Sequence, residues 1–222
     1  MSLRYETNIN QFCKIPGMPF SYWCKKFDIF AFSKLSNFYV SGGRNKTHNN
    51  DLFLRNWWEI SDKKRWQPYA NGGDFRRWYG NNYDLVDWSQ GAKEQYDNRG
   101  GLYNRKFWNK EGLCWNLITS YKNSFRLKSS DFHYSSASPT IISNNSFLDL
   151  EVLGFLNTEL AASLLKMVNP TLNTTVSDVL NLPFKCDCPN EVVKIVNENI
   201  GTSKIDWDSF ETSWDFKKHP LI

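Results

Sequence analysis

PTIISNNSFLDLEVLGFLNTELAASLLKMVNP, residues 139–170, is the stretch on which the fold class turns. Its start, 139–142, is apolar, β-branched and short, the pattern of a strand. The pattern changes near Asn145. Leu153, Leu156, Leu160, Leu164 and Val168 recur at helical spacing behind the capping candidates Asn145 and Ser146, and Asn169-Pro170 stops the run. The spacing predicts one helix over 149–168. The chain on its N-terminal side reads as strands and loops, and the chain on its C-terminal side reads as helix.

Upstream, short strand candidates lie at 37–41, 52–60, 83–88, 113–119, 124–128 and 139–142, with another at 132–134. Trp23, Phe27 and Phe30 form an aromatic stripe that predicts a short amphipathic helix near 20–34 and marks core. Residues 42–50 read as a polar loop. From 63 to 109 the chain is rich in Gly, Asn, Arg and Trp, with turn signals at Asn71-Gly72-Gly73, Gly80-Asn81-Asn82 and Arg99-Gly100-Gly101. Short strands and ordered loops are expected there. Downstream, a second helix is predicted from Pro189 to Ile200 with Gly201 as its left-handed cap, and an aromatic tail (Trp207, Phe210, Trp214, Phe216) is expected to fold back. The expectation is an α+β chain forming a single domain over 1–222, with a mixed strand and loop part over 4–145 and a helical part over 146–222.

Charge follows the same division. Residues 1–130 carry 21 Lys or Arg against 11 Asp or Glu, a net of +10, whereas residues 131–222 carry 6 against 12, a net of −6. A basic, aromatic-rich part is the electrostatic footprint of a nucleic-acid surface, and an acidic part is a poor match for phosphates. A solvated basic face would carry the same charges. No stretch approaches the apolar length of a membrane span, and no signal sequence is visible, so a soluble, cytoplasmic protein with no membrane partner is expected. The opening Met1-Ser2-Leu3 has the look of an expression scar, and the chain that of an excised segment. Five scattered cysteines suggest a reducing compartment rather than a disulfide framework.

The groups needed for several chemistries are missing. There is no Gly-x-Gly-x-x-Gly, no phosphate-binding Gly-Lys-Ser/Thr and no Asn/Asp-Pro-Pro-Tyr/Phe stretch. His48, His133 and His219 lie in unrelated contexts, and Cys186-x-Cys188 supplies two metal ligands at most. Asp206 with Asp208, and Asp149 with Glu151, lack a catalytic base nearby and read as solvated carboxylates. No catalytic residue, metal or cofactor is expected in this chain.

Several segments carry a family resemblance. They include Ile15-Pro16-Gly17-Met18-Pro19, Lys46-Thr47-His48-Asn49-Asn50, Phe53-Leu54-Arg55-Asn56-Trp57-Trp58-Glu59, and Trp66-Gln67-Pro68-Tyr69. Gly72-Gly73-Asp74-Phe75-Arg76-Arg77-Trp78-Tyr79-Gly80-Asn81 and residues 206–216 continue it in order. Together they resemble the region just after the catalytic domain in PglX-type adenine-specific DNA methyltransferases of BREX phage-defence systems, and related type IIG restriction-modification enzymes. The order of a helix, a polar turn, a short Asn181-Leu182-Pro183 strand and another helix is also similar to recognition domains of type I specificity subunits. The resemblance implies a DNA target recognition domain. S-adenosylmethionine and the adenine-N6 chemistry would then belong to the catalytic domain of the parent chain, which is an implied partner. One departure is visible: many relatives have Thr-Gly-Asp/Asn where this chain has Thr47-His48-Asn49.

For that reading the expected DNA-contacting residues are Arg44, Lys46, Thr47, His48, Asn49, Asn50, Arg55, Arg76, Arg77, Asn82, Arg105 and Arg126. Arginine forks bind phosphate or guanine O6 and N7, and Asn or Gln pairs with adenine N6 and N7. For any one of these arginines phosphate positioning is the leading role, with base reading and a structural salt bridge or stacking on Trp as the lesser alternatives. Loop 44–50 is the expected groove-probing element, with an ordinary solvent-exposed turn as its alternative. Most of the seven Trp between 57 and 115 should be core. A protein-interaction scaffold within a phage-defence complex is the rival reading, and a nuclease the third.

Overall fold

The computed structural model describes residues 6, 8–23, 28–62, 64–120, 122–143, 149–219 and 221, and shows an α+β architecture built on two small sheets. The first sheet orders β1 (Tyr39–Ser41), β8 (Thr140–Ser143), β5 (Gly112–Trp115) and β6 (Phe125–Lys128), all antiparallel. The second orders β2 (Leu54–Asn56), β4 (Asp84–Asp87), β3 (Trp66–Ala70) and β7 (His133–Tyr134), with β3 and β7 parallel. Because β7 and β8 are separated by only a few residues, the chain passes directly from one sheet to the other.

The helices cover the first sheet. α3 (Asp149–Leu156), α4 (Glu159–Val168), α5 (Val176–Leu180) and α6 (Pro189–Asp208) close the main core over Leu113, Trp115, Phe125 and Ile141. Trp115 is fully buried, and its indole N–H donates to the Thr174 carbonyl at 2.8 Å, so the large ring brings no unpaired donor into the core. α3 lies close on α6 at Gly154, where a Cβ would stand 2.9 Å from both Val192 and Val196. The second sheet has its own smaller core, in which Phe53, Tyr69, Val86, Ala92 and Tyr96 pack together. Between the two sheets sit Ala70, Tyr103, Tyr134 and Ile142.

Several elements depart from the sequence expectation for identifiable reasons. The long helix over 149–168 is two helices. Asn157 leaves the helical path because its side chain donates to the Phe125 carbonyl at 3.0 Å and accepts from the Phe125 amide at 3.1 Å, completing the edge of β6. Thr158 then caps α4, accepting from the Ala161 amide, and Leu160 is exposed rather than core. The capping candidates Asn145 and Ser146 lie outside the described residues. The span 52–60 is not one strand: Asn49 caps the single turn α1 (Asn50–Phe53), β2 comes next, and a 3₁₀ turn Trp57–Glu59 ends it. α2 (Gln90–Asn98), where only strands and loops were expected, is capped by Ser89 and anchored by Ala92 and Tyr96 on one face.

α6 does not stop at Ile200. Gly201 keeps helical geometry, and the helix continues until Trp207 is buried. Within the helix expected near 20–34, the described residues show one 3₁₀ turn, Asp28–Ala31, and a second, Leu35–Asn37, follows it. Phe30 joins the core, Trp23 stays partly exposed, and Cys24 and Phe27 lie outside the described residues. Pro183 makes an isolated bridge to Lys34 where a short Asn-Leu-Pro strand was expected. No helix among the described residues is long and apolar enough to cross a membrane.

Candidate nucleic-acid interface

The loop from Gly42 to Asn49 is fixed by burying alternate residues. Asn45 is buried: its amide donates to the Tyr134 carbonyl at 3.0 Å, and its carbonyl accepts from the Tyr69 hydroxyl at 3.2 Å. Thr47 is buried too, its hydroxyl bonded to Asn50 Oδ1. Arg44, Lys46 and His48, which alternate with these anchors, are left exposed, as are Asn49 and Asn50. His48 has φ +59, in the left-handed region that glycine favours. The backbone here thus keeps the geometry that a Thr-Gly sequence would adopt, while presenting an imidazole.

A second loop runs alongside. The Lys46 amide donates to the Gly101 carbonyl at 2.8 Å, and Gly101 leaves no room for a Cβ, which would meet the Lys46 carbonyl and the His48 ring. Tyr103 is buried beneath Gly43, and Asn104 caps the 3₁₀ turn Arg105–Phe107. Lys128 closes the far end of this loop from below: its buried ammonium donates to the carbonyls of Lys110, Ser129 and Phe132 at 2.6, 2.9 and 2.9 Å. Burial pulls its pKa down to about 8, so the ammonium depends on those three oxygens.

The two loops together present Arg44, Lys46, Arg99, Arg105, Lys106 and Lys110, all exposed. Neither 38–50 nor 98–110 contains an Asp or Glu. Among the described residues none of the six forms an ion pair. Arg105 lies over Trp108 at 5.2 Å and Lys106 over Phe107 at 4.8 Å, contacts that leave their charge facing water. The result is a concentrated positive face on a rigid support, suited to polyanions.

The other sequence-predicted contacts lie elsewhere. Arg126 is 3% exposed, and its guanidinium donates to the Arg76 carbonyl at 3.1 Å and to Asn116 Oδ1 at 2.9 Å, so it holds the scaffold instead of offering a free fork. Arg76 is half-buried under the end of α6, paired with Asp206 and lying over the rings of Trp207 and Phe210 at 5.1 and 6.0 Å. Asp206 and Asp208 are accordingly not merely solvated: Asp208 accepts from Lys204 and Ser213. Asp149 is likewise buried, accepting from the Tyr39 hydroxyl at 2.7 Å, and burial pushes its carboxyl above the usual range. Arg77 lies over Phe75, and Asn82 is half-buried in the same region. Arg55 donates to the carbonyls of Asp51 and Leu54 and lies over Trp66.

Arg44, Lys46, His48, Asn49 and Asn50 are thus exposed on one loop with Thr47 buried within it, and Arg105 is exposed on the neighbouring loop, whereas Arg76, Arg77, Asn82 and Arg126 lie around the 74–83 loop and Arg55 beside Trp66. Sequence reasoning missed Arg99, Lys106 and Lys110. The signal that would have found them is four cations and no acid within 98–110. Replacing Arg76 with Ala should lower stability by roughly 1 kcal/mol, since the pair is partly exposed and the stacking adds modestly. The salt dependence of any binding to a polyanion should not change, because the charge is already paired with Asp206. Thermal unfolding and binding isotherms on the same variant check both expectations.

Among the described residues no group of three or more His, Cys, Asp or Glu is placed to hold a metal ion. Cys13, Cys114, Cys186 and Cys188 are free thiols.

No protein-family model matches the chain. It is 32% identical over 98% of its length to the adenine-specific methyltransferase PglX of Lacticaseibacillus casei (strain Zhang). It is 30% identical over 96% of its length to the adenine-specific methyltransferase BrxX of Escherichia coli O9:H4 (strain HS). The chain spans 20% and 19% of the length of these curated relatives. Over nearly all of its own length, then, the chain is similar to a partial region, about one fifth, of PglX- and BrxX-type adenine-specific methyltransferases.

Proposed function

We propose that this chain is the DNA target recognition module of a BREX-type adenine-N6 DNA methyltransferase. The observation that carries the reading is the set of six exposed cations on loops 42–49 and 99–110, none of which forms an ion pair among the described residues. Similarity to adenine-specific methyltransferases supports it. The cations neutralise phosphates and set register, a sequence-independent task. His48, Asn49 and Asn50, at the exposed tip of the pinned loop, are the groups with hydrogen-bonding side chains able to read base edges. Asn49 Oδ1 is engaged by the Leu52 amide, which leaves its NH₂ for contact. Asn50 Oδ1 is engaged by Thr47 in the same way.

In this reading the catalytic domain of the parent chain supplies S-adenosylmethionine and the pocket that receives a flipped adenine. The module is a single domain of a cytoplasmic enzyme, with duplex DNA and that catalytic domain as its partners.

Selection from a random duplex pool at about 0.15 M salt, where non-specific binding is already weakened, tests the proposal. One enriched asymmetric motif containing an adenine is the expected result. Absence of any salt-sensitive duplex binding, with salt-insensitive capture of a protein instead, would establish the scaffold reading.

A further inference from the structure

A groove of about 700 Å³ opens beside the end of β1, between Gly42-Gly43 and the segment carrying Asn104, Lys106, Phe107 and Lys110. We infer that it is a phosphate track, a site that takes the sugar–phosphate backbone of one DNA strand without reading its bases. The inference rests on the recognition reading above and deepens it, by dividing backbone positioning from base reading on the same face.

The charge of the groove matches that ligand. Its lining holds two ammonium groups and no carboxylate. Among the described residues neither Lys106 nor Lys110 has an anionic partner. Lysine is a compact, strongly hydrated point charge, suited to phosphate but not to the bidentate recognition of a base edge. The two lysines sit on fixed backbone. Asn104 Oδ1 accepts the Lys106 amide at 3.0 Å, and the Lys110 carbonyl is held by the buried Lys128 ammonium at 2.6 Å. Asn109, between them, makes its turn at φ +53. Little ordering of backbone is therefore left for binding to supply.

The floor is close-packed for the same purpose. A Cβ at Gly42 would collide with the Tyr134 hydroxyl and with Phe107, so glycine lets the chain draw down against Phe107 where the groove begins. Gly43, at φ +86, turns the chain from the groove into the exposed tip at Arg44. Groove and tip are thus consecutive along one path. A strand whose phosphates track Lys110 and Lys106 continues toward Arg44 and the amides of Asn49 and Asn50.

The test is the double variant Lys106→Ala with Lys110→Ala in the 222-residue chain. Its binding is measured against the selected duplex and a scrambled duplex from about 50 to 200 mM salt. Both affinities should fall by the same factor, and the slope of log K on log salt should become shallower by about 1.8, the value for two phosphate contacts. The ratio between the duplexes should stay as in the unmodified chain. The exposed pair Lys217→Ala with Lys218→Ala, outside the lining of the groove, is the charge-matched control and should leave the slope unchanged.

A slope unaltered in the double variant, while the unmodified chain binds with salt dependence, would overturn the track and leave the recognition reading standing. So would an equal loss from the control pair, which would reduce the effect to net charge, or a changed ratio, which would make the lysines base readers. Failure of the unmodified chain to bind either duplex would remove the recognition reading itself, and the track with it.

Discussion

On the recognition reading, replacing Gly101 with Val should weaken sequence discrimination sharply while leaving the chain folded and still able to bind DNA. Gly101 is one of the points at which the two basic loops touch, beside Gly43 over Tyr103 and Gly42 against Phe107. A Cβ built there would meet the Lys46 carbonyl in a clash and stand 2.9 Å from His48 Nε2. The first of these is backbone, which cannot rotate aside, so the 44–48 segment has to move outward. Its hydrogen bond from the Lys46 amide to the Gly101 carbonyl would be lost with the movement. The junction lies outside the main core, which is centred on Trp115 and Phe125, so the fold survives at a cost of about 1–3 kcal/mol for the local overpacking.

His48, Asn49 and Asn50 would then sit away from the positions from which they reach base edges. A good base contact contributes about 1–3 kcal/mol of discrimination. Displacing one or two should reduce the ratio of affinities for selected and scrambled duplex by roughly 10- to 100-fold. Affinity for the scrambled duplex should change little, because the six cations remain exposed. Competition binding with the two duplexes measures the ratio. A variant that is folded, has lost loop contact and still discriminates as before would show that the base readers lie elsewhere.

Much of the scaffold is legible in the sequence because it depends on local pattern. The strands at 83–88, 124–128 and 139–142 announce themselves by alternation or by short apolar runs, and Pro189 marks the start of α6 as a proline at the first helical turn should. What the sequence conceals are decisions made by distant residues. Asn157 looks compatible with a continuing helix until Phe125, 32 residues earlier, offers both its backbone groups. Gly201 looks like a stop, yet burial of Trp207 carries α6 past it. α2 is nearly all polar, so its two apolar anchors give too weak a period to see.

The site obeys the same rule. Arg76 and Arg77 stand out in sequence as a basic pair within an aromatic stretch, but the neutralising Asp206 lies 130 residues away. Lys106 and Lys110 stand out less, and it takes the pairing of Lys46 with Gly101 and the packing of Gly42 on Phe107 to reveal that their loop joins the one around Arg44. Local signals mark the exposed loop around Arg44, and tertiary contacts decide which cations stand beside it.

Mild acid should destabilise the protein through one residue, His133, and the support of the same face should weaken with it. His133 is 3% exposed, stacked on Trp88 with ring centroids 3.7 Å apart, and its Nδ1 lies 2.6 Å from the Tyr103 hydroxyl. Burial, reinforced by the Lys128 and Lys93 charges, pushes its pKa down to about 3 from an ordinary 6.5. The folded state therefore holds the ring neutral where the unfolded chain takes up a proton. Stability is complete above about pH 6.5 and declines as pH falls from there toward 3. Between pH 7 and pH 5 the loss from this one group is about 2 kcal/mol. Asp149 and Asp84, whose carboxyls burial raises, gain stability on protonation and so act in the opposite direction.

Tyr103, whose hydroxyl meets the ring, is the residue over which Gly43 lies, so the strain of protonation falls on the junction between the two basic loops. Urea unfolding at pH 7, 6 and 5 measures the effect, with His133→Gln as the comparison because it cannot titrate. The variant should be less stable at pH 7, having lost the stack on Trp88, and should decline less steeply than the unmodified chain as pH falls. Parallel declines would assign the acid sensitivity to other groups and show that His133 does not govern it.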